Sequence, residues 1–236
     1  MFESPKRHDI GPSFLREATR GPFDKDLQRR SEWMVEQSEV LRYLFDRVNA
    51  KEGVGPTVLC AGAGKGHEME EIGKKIAFAK VIGLDPHDFW APPVKSRVSK
   101  EAWDTDYLPE SVRLEHLKGI PDASVDAMTL YFVLHHMEPS RYDHVMGEIR
   151  RVLKDDGLLF VAEDFADSEE EHALVAKIDK QVNVEILGDD PHNYKNLEGW
   201  KKFFSAQGFS VEHVNEVKPD KVRHAFMVLR KEKKIS

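Results

Sequence analysis

Short apolar runs alternate along the chain with segments whose apolar residues recur at helical spacing. The runs at 57–61, 80–84, 112–117, 125–134 and 158–162 read as strands, and the fourth is apolar on both faces, as a central parallel strand must be. Between them, Met69, Ile72 and Ile76 mark one face of a helix, and Tyr142, Val145, Met146, Ile149, Val152 and Leu153 form the stripe of another, closed by Asp155-Asp156-Gly157. Upstream, Val40, Leu41, Leu44, Phe45 and Val48 share a helical face with Arg42, Asp46 and Arg47 opposite, so 31–52 is expected as a helix ending near Gly53-Val54-Gly55-Pro56. Downstream, helices are expected at 174–186 and 197–206, the second stopped by Gly208. Strands at 209–217 and 225–229 then pair as an antiparallel hairpin through Lys218-Pro219-Asp220. Strands that alternate with helices pair in parallel through right-handed crossovers, which makes the fold class α/β, a Rossmann-like doubly wound, mostly parallel sheet with a C-terminal hairpin. Residues 1–30, with Gly11, Pro12, Gly21 and Pro22 among scattered charges, read as an irregular arm, and 31–236 as one domain with an N-terminal helical extension. A Pro-rich insertion at 86–111 has its only helical candidate around Ala102 and Trp103.

Composition narrows the classes. A chain of 236 residues, 40% of them hydrophobic, suffices for one large core. The longest unbroken apolar run, 127–134, falls far short of the ~20 residues a spanning helix needs, so no membrane is expected. The opening MFESPKRHDIGPSF is polar where a signal peptide is apolar, which points to the cytoplasm. The single Cys permits neither an internal disulfide nor a Cys-based zinc cluster, and Cys60 reads as a buried strand residue rather than a catalytic thiol. A net charge of -7 argues against nucleic acid as the main partner.

The first strand runs into Gly62-Ala63-Gly64-Lys65-Gly66 and then a helix. Such a turn lets the backbone bend tightly and approach a nucleotide-like ligand, or simply lets helix and strand pack closely. A dinucleotide fingerprint would need Gly where His67 stands, and a phosphate-binding loop would need Ser or Thr where Gly66 stands. Asp85, ending the second strand, is placed to accept ribose hydroxyls or to cap the surface.

With VLCAGAGKG (58–66), VIGLDP (81–86), IPDASVDAMTLYFVLHHM (120–137), EIRRVLKDDGLLFVAED (148–164) and GWKKFFSAQGF (199–209) in this order, the chain resembles the class I S-adenosylmethionine-dependent methyltransferases, in particular the large group of small-molecule enzymes like those that methylate quinones. The resemblance implies a seven-stranded sheet with one antiparallel strand, S-adenosyl-L-methionine as cofactor and a small-molecule methyl acceptor above it. It implies Ala61, Gly62, Ala63 and Gly64 beside the cofactor's amino acid part, Asp85 on its ribose, Pro86 by the adenine, Leu117 and Lys118 framing the adenine, and Tyr131 near the methionine moiety. Two departures stand out: Cys60 occupies a position where the family usually has an acid, and the acid often found after the third strand is missing from 114–121.

Methyl transfer is mostly a matter of positioning, with a base where the acceptor carries a proton. His135 and His136, after the fourth strand, are the candidate catalytic residues; alternation along an extended segment lets only one face the acceptor, and His135 is favoured. Packing or capping is the competing role. Glu163 and Asp164 can bind an acceptor or cap a helix. Asp189, Asp190, His192 and Tyr194 lie in a loop that contacts substrate in similar proteins, and nothing fixes them at ligand spacing, so no metal is expected. Trp33, Met34, Phe89, Trp90 and Trp103 can cover the site or pack in the core. Arg230, Lys231, Lys233 and Lys234 read as a solvated basic tail. The competing functions are a methyltransferase acting on RNA or protein, a non-catalytic S-adenosylmethionine-binding scaffold, and an NAD-linked oxidoreductase, which His67 counts against.

Overall fold

The computed structural model describes residues 22–49, 51–85, 104–108, 113–187, 193–218 and 221–232. Its strands are β1 (Thr57–Ala61), β2 (Lys80–Leu84), β3 (Asp104–Tyr107), β4 (Val125–Tyr131), β5 (Leu153–Phe165), β6 (Phe209–Val217) and β7 (Arg223–Lys231), and its helices α1 (Pro22–Gln37), α2 (Val40–Phe45), α3 (His67–Lys75), α4 (Tyr142–Val152), α5 (Glu169–Leu187) and α6 (Leu197–Ala206). The strands form one seven-stranded sheet in the order β3-β2-β1-β4-β5-β7-β6. The pairs from β3 through β5 are parallel, and β7 runs antiparallel to both β5 and β6.

Side chains on a strand alternate between faces, and β1 shows how that builds the layers. Val58 and Cys60 join Val35, Val40, Leu44, Met69 and Ile72 of α1, α2 and α3 in one core. Leu59 and Ala61 join Val145, Met146 and Ile149 of α4 and Trp200 and Phe204 of α6 in the other. A central strand buried on both faces therefore reads as a continuous apolar run.

The structure departs from the sequence pattern at identifiable places. The helix expected at 31–52 is two helices, because Glu39 adopts φ 59 and the Ser38 hydroxyl donates to Val35 O at 3.0 Å. The first begins at Pro22, inside the arm expected to be irregular, with proline at the first helical position where its missing N–H removes no bond. The third strand is not 112–117 but Asp104–Tyr107, paired with β2 from Lys80↔Asp104 to Gly83↔Tyr107. As the sheet's edge it carries no apolar run, whereas at 113–117 the chain turns, with Arg113 bridged to His116 and Leu117 buried in the α4-side core. β5 is longer than expected, since Asp155-Asp156-Gly157 falls within a register irregularity opposite Val125 and Ala127.

One buried carboxylate ties α2 to the sheet. Asp126 accepts from Arg47 Nη1 at 3.1 Å, from Lys154 Nζ at 2.8 Å and from the Thr57 N–H at 2.9 Å. Tyr43 beside it donates to Asp126 O at 3.2 Å and Asp156 O at 2.8 Å, and burial pushes its hydroxyl up to about 12.

Candidate active site

At the carboxyl end of β1 the chain must bend sharply to enter α3, and Gly62 makes the bend possible. It adopts φ 74, and a Cβ there would stand 2.5 Å from Val133 Cγ2, so any side chain both strains the backbone and strikes the β4 exit. The N–H groups of Gly62 and Ala63 donate to Leu84 O at 2.8 and 2.9 Å, and the Gly64 N–H donates to Asp85 Oδ2 at 2.9 Å. The turn and the acid that the sequence reading pairs are thus joined directly. Among the described residues, the atoms nearest a Cβ on Gly64 would be Asp85 Oδ2 and Gly62 O, each at 4.0 Å. Ala61 and Ala63 are buried on opposite sides of the sheet.

Beneath the turn lies a buried polar row that the sequence reading missed. Glu68, in the first turn of α3, sits against Cys60 and Thr129; burial pushes its carboxyl up from 4.5 to about 7 against the opposing pull of those two partners. Burial, then the Glu68 charge, pushes the Cys60 thiol well up. Tyr131, at the end of β4, donates to Ser38 Oγ at 2.6 Å, and burial raises its hydroxyl pKa as well. The structure brings an acid from α3 to the position where β1 itself carries Cys60. No local pattern signals it, since Glu68 follows the glycine turn as an ordinary polar helix residue.

The exit of β4 forms the other half of the site. Phe132 adopts φ 57, rare for a bulky residue, and ends the strand earlier than the apolar run suggests. The chain then turns through Leu134–His136, placing His135 inside the protein with 1% of its surface exposed. Glu163, fully buried on β5, holds this turn: its Oε1 accepts the N–H of Leu134 at 2.8 Å and of Val133 at 3.2 Å, and its Oε2 lies 2.6 Å from His135 Nδ1. On the far side Asp179 of α5 faces both rings, with Oδ2 at 3.8 Å from His135 Nε2 and Oδ1 at 3.8 Å from His136 Nε2. The two imidazoles lie 4.0 Å apart between centroids, and Tyr194 stacks 4.8 Å from His135. Burial works to lower the His135 pKa, but Glu163 and the facing Asp179 raise it to about 10. Burial likewise works to raise Asp179, and the two histidines bring it down to about 2. His136 keeps 14% of its side-chain surface exposed and is the more accessible of the pair.

The segment carrying Tyr194 closes on this turn, with the Asn193 N–H donating to His135 O at 2.9 Å and Asn193 Nδ2 to Met137 O at 2.7 Å. Asp164 turns instead to His224 Nδ1, and Trp33 packs edge-on against His224 and Phe226 at 5.8 and 5.3 Å. Of the expected aromatic cover, then, Trp33 belongs to the α1-side core, as does Met34. Leu117 packs under α4, its N–H donating to Glu148 Oε2 at 2.8 Å and its carbonyl accepting from Arg151 at 3.1 Å, while Lys118 is exposed. The hydrogen bonds of Leu117 run to α4, not to the glycine turn. Arg230 pairs with Glu212 and Lys231 with Asp155 at 3.1 Å, so the start of the basic tail is tied into the sheet edge. Pro86, Phe89, Trp90, Trp103, Asp189, Asp190, His192, Lys233 and Lys234 lie outside the described residues.

Residues 59–161 match the family described as methyltransferase domain. Residues 59–161 thus carry a methyltransferase domain, and the glycine turn, the acid ending β2 and the strand order accord with the class I S-adenosylmethionine-dependent fold. It is similar to the Burkholderia thailandensis 1,6-didemethyltoxoflavin-N1-methyltransferase, crystallised with 1,6-didemethyltoxoflavin and S-adenosylhomocysteine, at 17% identity and a TM-score of 0.60 over 91% of this chain and 92% of that one. It is also similar to the mitomycin 7-O-methyltransferase MmcR, at 17% identity and a TM-score of 0.60 over 94% of this chain and 61% of that one. A third likeness is the [4+2]-cyclase SpnF, at 16% identity and a TM-score of 0.64 over 90% and 83%. At such identities the likeness is one of fold. No curated protein matches the sequence. The groups at the turn are compatible with such a cofactor: Asp85 is a carboxylate joined to the Gly64 N–H, and Glu68 is a buried acid in the first turn of α3. Among the described residues no helix is long and apolar enough to cross a membrane.

Proposed function

We propose that this enzyme methylates an oxygen, nitrogen or carbon of a small molecule seated at the carboxyl ends of β4 and β5, with the accepting atom at His136. The observation that carries the reading is the locked turn at the β4 exit, where Glu163 fixes His135 and leaves His136 the accessible ring. When bound, S-adenosylmethionine supplies a methyl group on a sulfonium. The acceptor's lone pair forms the new bond to that carbon as the carbon–sulfur bond breaks, and the acceptor's proton leaves. Asp85 and the Ala61–Gly64 backbone hold the cofactor, Tyr131 borders it, and His136 takes or holds the acceptor's proton. His135 acts through His136, as a positioning residue rather than as the base the sequence pattern favours. Its Nδ1 is engaged by Glu163 and only 1% of its surface is exposed, so an acceptor does not reach it. The net charge of -7 supports a small acceptor over RNA.

The test is His136→Ala, assayed with an acceptor found by screening small molecules for S-adenosylhomocysteine release. Turnover is expected to fall by about 10²–10⁴ with cofactor affinity unchanged. Wild-type turnover by the variant would remove His136 from the chemistry.

A further inference from the structure

The histidine pair and Asp179 form a group that proton transfer alone does not account for. Three side chains from two separate elements, the β4 exit and α5, present one donor atom each, and all three atoms lie within 4.8 Å of one another. The separations of Asp179 from the two rings, both 3.8 Å, are too long for hydrogen bonds. Bonds of ~2.0–2.2 Å to nitrogen and oxygen put two donors on one ion at most about 4.2 Å apart, so a single cation bridges each of these pairs with small ring rotations. His135 Nε2 is buried and makes no hydrogen bond among the described residues. Its other nitrogen is committed to Glu163, the arrangement that fixes a metal-binding imidazole's tautomer and turns the remaining nitrogen to the ion. The surroundings are rich in carboxylates, since Glu163, Asp164 and Asp179 all act on His135.

We propose that His135, His136 and Asp179 hold a divalent transition-metal ion through His135 Nε2, His136 Nε2 and an Asp179 carboxylate oxygen, with Glu163 as the orienting partner of His135. Two imidazoles and one carboxylate suit zinc, iron(II), cobalt(II) or manganese and leave coordination positions open. With His136 Nε2 on the ion, the ion takes over the part given to that ring above: an open position takes an oxygen of the acceptor, and the positive charge eases loss of that oxygen's proton. This consequence rests on the acceptor reading above; the ion site itself does not. The third ligand comes from α5, far along the chain from the histidines, so no local spacing signals this group.

The probe is cobalt(II) titrated into full-length protein stripped of metal, followed by its visible ligand-field absorption, with S-adenosylhomocysteine affinity measured in parallel as the control for folding. The wild type is expected to bind one cobalt per chain. Asp179→Asn and His136→Asn are expected to weaken binding more than about 100-fold, and Glu163→Gln about 10–100-fold, with S-adenosylhomocysteine affinity unchanged. Absence of saturable cobalt binding, or equal binding by wild type and Asp179→Asn, overturns the proposal. If cobalt does not bind but His136→Ala still loses turnover, the ion falls and the acceptor reading stands. If cobalt binds and His136→Ala turns over normally, the ion site stands and the acceptor reading falls.

Discussion

At the residue scale, the site depends on a few side chains whose partners are not their sequence neighbours. Asp85 is the exception, because it ends a strand adjacent to β1 and its carboxylate meets the Gly64 N–H at 2.9 Å. Asp85→Ala removes the brace of the turn and, on the proposed reading, the acceptor of ribose hydroxyls. Affinity for S-adenosylmethionine and S-adenosylhomocysteine is expected to fall by more than about tenfold, measured by calorimetry. Near-wild-type affinity would take Asp85 off the cofactor. Asp85 and the glycines were legible because strand, turn and acid follow one another locally. Glu68 and Asp179 were not, because each looks in sequence like any solvent-facing polar residue of a helix. Their burial comes from what the helix is laid against. That His135 and His136 stand at the β4 exit was legible, but that His135 is buried on Glu163 while His136 stays partly exposed was not, since it depends on Glu163 and on the turn that Phe132 begins.

At the scale of elements, helices and strands with a buried face were plain and the edge of the sheet was not. α6 and β6 lie where the periodicity puts them, because Trp200 and Phe204 pack on one side and the glycine at 208 ends the helix with φ 73. β3 was misplaced because an edge strand is held by main-chain bonds to β2, which leave no hydrophobic signature. α2 is short, and its anchor is polar: Arg47, just beyond it, and Tyr43 within it reach the buried Asp126 and the strand beside it. Asp126→Ala leaves Arg47, Lys154 and the Thr57 N–H without their shared acceptor. Denaturant unfolding is expected to show a loss of about 3 kcal/mol, discounted for the partial exposure of Arg47 and Lys154. An unchanged midpoint would mean that α2 is held by its apolar face alone.

At the scale of the molecule, two cores on either face of the sheet leave the carboxyl ends of the parallel strands as the working edge, and the cost of the buried site appears in the pH dependence of stability. Glu68 has a folded pKa of about 7 against the usual 4.5. The folded state holds this proton more tightly than the unfolded chain, so the group's contribution is fully present below pH 4.5 and is lost as pH rises through about 7. Glu68→Gln cannot lose that proton. Urea midpoints at the two ends of this window are expected to differ less for the variant than for the wild type. Equal slopes would show that Glu68 is not the buried acid responsible.

The sequence by itself determined the layers, the strand-to-helix order, the glycine turn with its acid and the place of the histidines, because period and turn chemistry are local properties. Tertiary structure alone decided that α3 supplies an acid beside Cys60, that α5 brings Asp179 to face the histidine pair, and that the edge strand is β3. Each of these is a meeting of segments distant in sequence, driven by burial of apolar faces elsewhere on the same elements. The polar groups then meet where that packing puts them.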